Sequence, residues 1–295
     1  MCKKVLSSLA ALVTLMLVAG PAPAGTFFFS TGNPDGKIAT LSRIPSAGKI
    51  ETETADDFVT TDATMITNFS FTGLLVGGAT TANIANVEIE LYHVFPIDSG
   101  PFDNRVVTRV NSPSDNAFIA RDGLLGQLSF TTKVLSASFT AANSVVNGIH
   151  TAPNQFTGGE GPVTGVEVEF DGTFTTPVLL GPDHVFFRPE VDLGSAGDFL
   201  WLSAPRPIVP PGTPFPPGAT DLQSWTRNAN LAPDWSRIGT DITDQGPFNA
   251  AFSLSGTIVP EPASLTLLGI ALPTLAVWGW RCRQSGTASV CRQRR

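Results

Sequence analysis

Catalysis at neutral pH needs a nucleophile or a metal ion with a base in reach, so the acids and histidines are placed first. The 295-residue chain has three histidines, His93, His150 and His184, and they are scattered. His93 falls on the apolar side of a predicted strand, which predicts a hydrogen-bonded core histidine. The sequence holds no G-x-S-x-G elbow, no H-E-x-x-H pair and no phosphate loop. Glycoside hydrolysis needs only two carboxylates across a cleft, and a chain this acidic neither excludes nor singles out such a pair. Calcium suits the oxygen-rich loops best, with Asp56 and Asp57 as candidate ligands, joined by Asp35 in "NPDG" and by Asp115 and Asp122 in "SPSDNAFIARDG". None of these has the spacing of an EF-hand loop, and Asp35 is first a turn residue. Strand alternation sends one carboxylate of the Asp56, Asp57 pair inward, and a buried aspartate that finds hydrogen-bond donors is the competing reading. Trp225 and Trp235 lie among polar residues in "DLQSWTRNANLAPDWSRIG" and form a candidate sugar-stacking platform. The alternative packs both rings onto the edge of the domain.

The elements that must carry these residues have a period of two. In "GVEVEFDG" Val166, Val168 and Phe170 alternate with Glu167 and Glu169, which predicts one buried and one wet face. In "NVEIELYHVF" Val87, Ile89 and Leu91 alternate with Glu88, Glu90 and Tyr92 in the same way. Phe252, Leu254 and Ile258 share a face near the end of the same region. Further strands are predicted over 69–75, 127–130, 184–188 and 199–202, punctuated by turns such as "NPDG", "RDG", "FDG" and "DQG". No segment of this region shows a helical stripe. The expected fold is all-β, an antiparallel β-sandwich of jelly-roll type. The proline-dense stretch 204–218 is expected to be a rigid surface loop that returns to the last strands.

Charge and cysteine content narrow the function classes. Residues 25–259 hold 11 Lys and Arg against 24 Asp and Glu, a net charge of −13. Such a surface repels phosphate backbones, so nucleic acid is not an expected partner. The three cysteines, Cys2, Cys282 and Cys291, all fall outside that region. It therefore has no disulfide, no thiolate nucleophile and no cysteine zinc site, and a packed core must stabilise it.

The two ends read as addresses. Lys3 and Lys4 precede an apolar run over 5–19, then Gly20-Pro21 and Ala22-Pro23-Ala24, the layout of a secretory signal over 1–24. The 18 residues 263–280 carry no charge and as a helix would span about 27 Å, near the minimum for the hydrocarbon core. Trp278 and Trp280 sit at the far end, and Arg281 and Arg283 follow as a membrane stop with a cytoplasmic tail over 284–295. Before the span, Pro260 and Pro262 hold Glu261 on an extended backbone.

Val259-Pro260-Glu261-Pro262, an apolar span and an arginine cluster, over 259–283, together resemble the PEP-CTERM sorting signal. The resemblance implies export, recognition by an exosortase, which is a membrane cysteine transpeptidase, and processing near the motif, often in bacteria that make exopolysaccharide. The stretches "STGNPDGKIATLSRI", "ETETADDFVT" and "RVNSPSDNAFIARDG" are similar to the exported parts of PEP-CTERM proteins. The resulting expectation is an exported envelope or matrix protein with a sandwich over 25–258. It would need no cofactor and would act without catalysis, as a structural or carbohydrate-binding module. The rival expectation is a secreted carbohydrate-active hydrolase.

Overall fold

The computed structural model describes residues 24–46, 48–96, 109–149 and 156–260. Residues 1–23 of the expected signal over 1–24, the span 263–280, the tail 284–295 and His150 lie outside the described residues. In chain order the first strands are β1 (Thr26–Ser30), β2 (Ile38–Leu41), β3 (Thr52–Thr60), β4 (Thr64–Val76) and β5 (Asn86–His93). The next are β6 (Ile119–Asp122), β7 (Leu128–Ala141), β8 (Asn143–Val145), β9 (Val163–Leu180) and β10 (Asp183–Asp192). The last are β11 (Asp198–Ala204), β12 (Trp225–Asn228), β13 (Ser236–Arg237), β14 (Asn249–Ala250) and β15 (Phe252–Ile258). A 3-10 turn at Thr81–Asn83 and a π turn at Ile238–Ile242 are the helical pieces among the described residues, and none is long and apolar enough to cross a membrane.

β4 is the spine of the first sheet. One of its edges pairs with β15 from Thr64 to Phe71 and then with β11 from Gly73 to Val76, while β9 runs along the other. β1 extends the sheet from β15, β2 and then β8 extend it from β11, and β7 closes the far edge beyond β9. The two sheets bear out the all-β, mostly antiparallel sandwich expected, with β2 and β8 as the parallel pair among the named strands. The second sheet has the order β13-β12-β3-β10-β5-β6.

Phenylalanine dominates the core between the sheets because alternate residues of long strands must fill one shared layer. Phe71 of β4 stacks on Phe170 of β9 at 4.7 Å, and Phe187 of β10 stacks on Phe252 of β15 at 5.1 Å. Such ring pairs contribute about 0.5–1.5 kcal/mol each beyond the area they bury. The rings need room, and glycine supplies it. Gly172 lies opposite Phe69 in the β4–β9 register, and a Cβ there would fall 2.0 Å from the Phe69 ring.

The last elements serve both layers. After β11 the chain turns through 204–218, where Thr213 N–H donates to Ser30 O at 2.7 Å and the Phe215 ring meets Phe29 edge-on. It then adds β12 and β13 to the second sheet and β14 and β15 to the first. Residues Thr26–Ile258 form one compact unit.

Candidate functional site

The outer face of the second sheet gathers most of the chemistry-bearing residues. Its strands place Asp57 and Glu53 (β3), Arg188 and Glu190 (β10), Glu88, Glu90 and Tyr92 (β5), and Arg227 (β12) on that side, opposite the inward Phe58, Phe187 and Leu91. The wet face expected for Glu88, Glu90 and Tyr92 is largely covered, for Tyr92 is 1% exposed and both glutamates are partly buried. The returning segment covers it with Leu222, Trp225 and Trp235, which pack with Ala55, Tyr92 and Phe186.

Arg188, fully buried, is the centre of this layer. Its guanidinium lies 2.5 Å from Glu190 and 2.5 Å from Glu90, with Glu53, Glu51 and Glu88 at 3.5–3.9 Å. Arg227 pairs with Glu53, and the single Tyr92 hydroxyl lies within hydrogen-bond reach of both Glu53 and Glu90. Five carboxylates thus face two guanidinium groups, and protons must make up the difference. Burial pushes the Glu190 carboxyl up to about 8 against the pull of Arg188. Burial, together with the neighbouring Glu90, likewise raises Glu88 to about 7 in spite of Arg188. Burial alone would raise Glu53, but Arg188 and Arg227 outweigh it and hold that carboxyl below its ordinary range.

Asp56 and Asp57 sit side by side on β3 and point to opposite faces. Alternation would leave one of them outside, yet both are buried, because the returning segment closes over the second face. Asp56 accepts from Ala250 N–H at 2.8 Å and from Ser224 O–H at 3.0 Å. Asp57 accepts from Leu222 N–H at 3.0 Å and meets His184 Nε2 at 2.6 Å. Burial, then the nearby Asp57 and Asp221, drive the Asp56 carboxyl well above its usual range. The pair is a clasp that holds the last third of the chain to β3. Both Asp56 oxygens and Asp57 Oδ2 have protein donors, while Asp57 Oδ1 is buried without one, and among the described residues no cluster of three or more acids, histidines or cysteines is arranged around a metal.

The other candidates are also tied down. Asp35 accepts from Lys37 N–H and Ser203 O–H, Asp122 from Asn86 and Leu125, and Asp115 pairs with Arg109. Trp225 and Trp235 are 1% and 0% exposed, the arrangement of the packing alternative rather than of rings open to a sugar. Trp235 lies edge-on to Tyr92 at 5.4 Å, with Arg227 4.3 Å above it. His93 is a correction, for its side chain is 54% exposed, paired with Asp183 and stacked on Phe118 at 3.9 Å. β5 ends at this residue, beyond the last core position, Leu91.

The Arg188 network was missed. Its signal lies in "FFRPEVD", where Arg188 and Glu190 continue the face of Phe186, but a polar strand face reads as a solvated one.

Val259 and Pro260 follow β15 directly, while Glu261, Pro262, Arg281 and Arg283 lie outside the described residues. No curated protein matches the sequence. Among solved structures the chain is similar to the infectious bursal disease virus VP2 subviral particle at 7% identity and a TM-score of 0.16. The alignment covers 86% of this chain and 49% of that one, about half its length, and a likeness that slight carries no argument. Residues 259–284 match the model of the PEP-CTERM protein-sorting motif, so the chain carries that motif, which implies an exported protein sorted by an exosortase.

Proposed function

We propose that the chain is exported by the signal over 1–24 and held in the inner membrane by the span 263–280, with Arg281 and Arg283 on the cytoplasmic side. An exosortase-type transpeptidase then cuts near Val259-Pro260-Glu261-Pro262 and delivers the sandwich to the cell surface or an exopolysaccharide matrix. There it acts without catalysis, as a structural or carbohydrate-binding module. One observation carries this reading: β15 ends at Ile258 and the matched motif begins at Val259. Trimming at that point leaves every strand of the sandwich in place. A non-catalytic role draws support from Asp56 and Asp57, which are buried and hold Ser224, Ala250, Leu222 and His184.

The test replaces Pro260 and Glu261 with alanine in the native host. A larger form retained in the inner membrane is the expected result. Release and size unchanged from the parent would contradict processing at this motif.

A further inference from the structure

The outer face of the first sheet has a different character from the roofed face of the second. Register places Phe28, Ser255, Asn68, Thr173 and Ser129 in one row across β1, β15, β4, β9 and β7. A second row, one pleat along, runs Ser30, Ser253, Ser70, Asp171 and Thr131 across the same five strands. Of these ten residues one is charged. A third, shorter row pairs Thr72 with Glu169 and Glu169 with Lys133, which gives these three rows together a net charge of −1.

A solvated sheet face is ordinary in a sandwich, but it is usually kept soluble by charged side chains. Here hydroxyls and one amide do that work, and they are tied to one another. Ser70 and Ser253 share a hydrogen bond of 2.8 Å, and Thr173 O–H donates to Asn68 Oδ1 at 3.0 Å. Those bonds fix the rotamers, so donors and acceptors stand ready without further ordering. The face is also shaped. Two neighbouring depressions, of about 210 Å³ and 400 Å³, lie on either side of the Ser70, Asp171 register pair. Pro34 and Pro211 bound the first, and the Phe28 ring, 56% exposed, lies at its rim. Five strands at the usual spacing make a trough of roughly 19 Å.

We infer that this trough binds a neutral polysaccharide, laid across the strands. Rows of hydroxyls and an amide match the alternating donors and acceptors of a polyhydroxylated chain. Phe28 offers an apolar ring to one sugar face, and the near absence of charge discriminates against polyanions. This inference rests on the binding-module reading above and names its ligand class and its site.

Native gels cast with hydroxyethylcellulose, galactomannan, alginate or no polymer test it, using the full chain in a non-glycosidic detergent. Retardation by at least one neutral polymer and not by alginate is expected. Thr173→Arg, and separately Ser129→Arg, should weaken that retardation about tenfold or more, a change of about 1.4 kcal/mol. Thr61→Arg, away from the rows, should leave it unchanged. Equal retardation of folded Thr173→Arg and Ser129→Arg would overturn the site while leaving the binding module standing. No retardation by any of the three polymers would overturn both, and retardation by alginate alone would overturn the assignment of a neutral ligand while leaving the binding module standing. Sedimentation showing a dimer that Thr173→Arg dissociates, with no retardation, would give the face to a second copy of the chain and overturn the proposal.

Discussion

Glu190 has no solvent exposure and its nearest cation, Arg188, is shared with four other carboxylates. Folding therefore raises its proton affinity, and that of Glu88, above the range of an unfolded chain. The folded state holds protons that the unfolded state releases, so the stabilisation is complete below the ordinary carboxylate range. It is lost as pH climbs through about 7 and then about 8. Asp56, Asp57 and Asp221, all raised first by burial, act in the same sense. Glu53 is held low by Arg188 and Arg227 despite its burial, and it acts oppositely at the acid end. The melting temperature should fall by roughly 5 °C or more between pH 5 and 8.5. Glu190→Gln should flatten that slope, and differential scanning calorimetry of both proteins across the range checks it. A melting temperature rising over the same interval would contradict the sign. At this scale the sequence was legible in part. Alternation sends one carboxylate of the Asp56, Asp57 pair inward, but nothing local in "FFRPEVD" reveals that a segment about thirty residues later will cover Arg188 and Glu190.

Alternation made the strands readable, and the same alternation hid their environment. Val87, Ile89, Leu91, Val168, Phe170, Phe252 and Leu254 all lie in the core as their period demands. A period of two says which residues share a face; it does not say whether that face meets water or another layer. The parallel pairing of β2 with β8 was equally illegible, because parallel partners are set by long connections rather than by turn residues. Glycine supplies the sharpest test of the packing between elements. Gly172 leaves the space that the Phe69 ring fills across the β4–β9 ladder. Gly172→Ala should destabilise the domain by about 1–3 kcal/mol through overpacking. Urea denaturation measures this, and an unchanged midpoint would mean that Phe69 does not occupy that space.

For the whole molecule, the sorting account and the sandwich meet at one boundary, between Ile258 and Val259. That boundary was legible from the motif, since two prolines around a glutamate before an apolar run follow no soluble-domain logic. Its coincidence with the end of β15 was not, because strand ends depend on the partner strand, here β4 from Thr64. The account predicts a protein cut at both ends with its core untouched. The most direct test is the intact mass of the mature form, compared between cells with and without their exosortase. A species that starts at Gly25 and lacks 263–280 in the first, and keeps that span in the second, is the predicted result. The untrimmed 295-residue chain, dissolved in the cytoplasm of both, would contradict it.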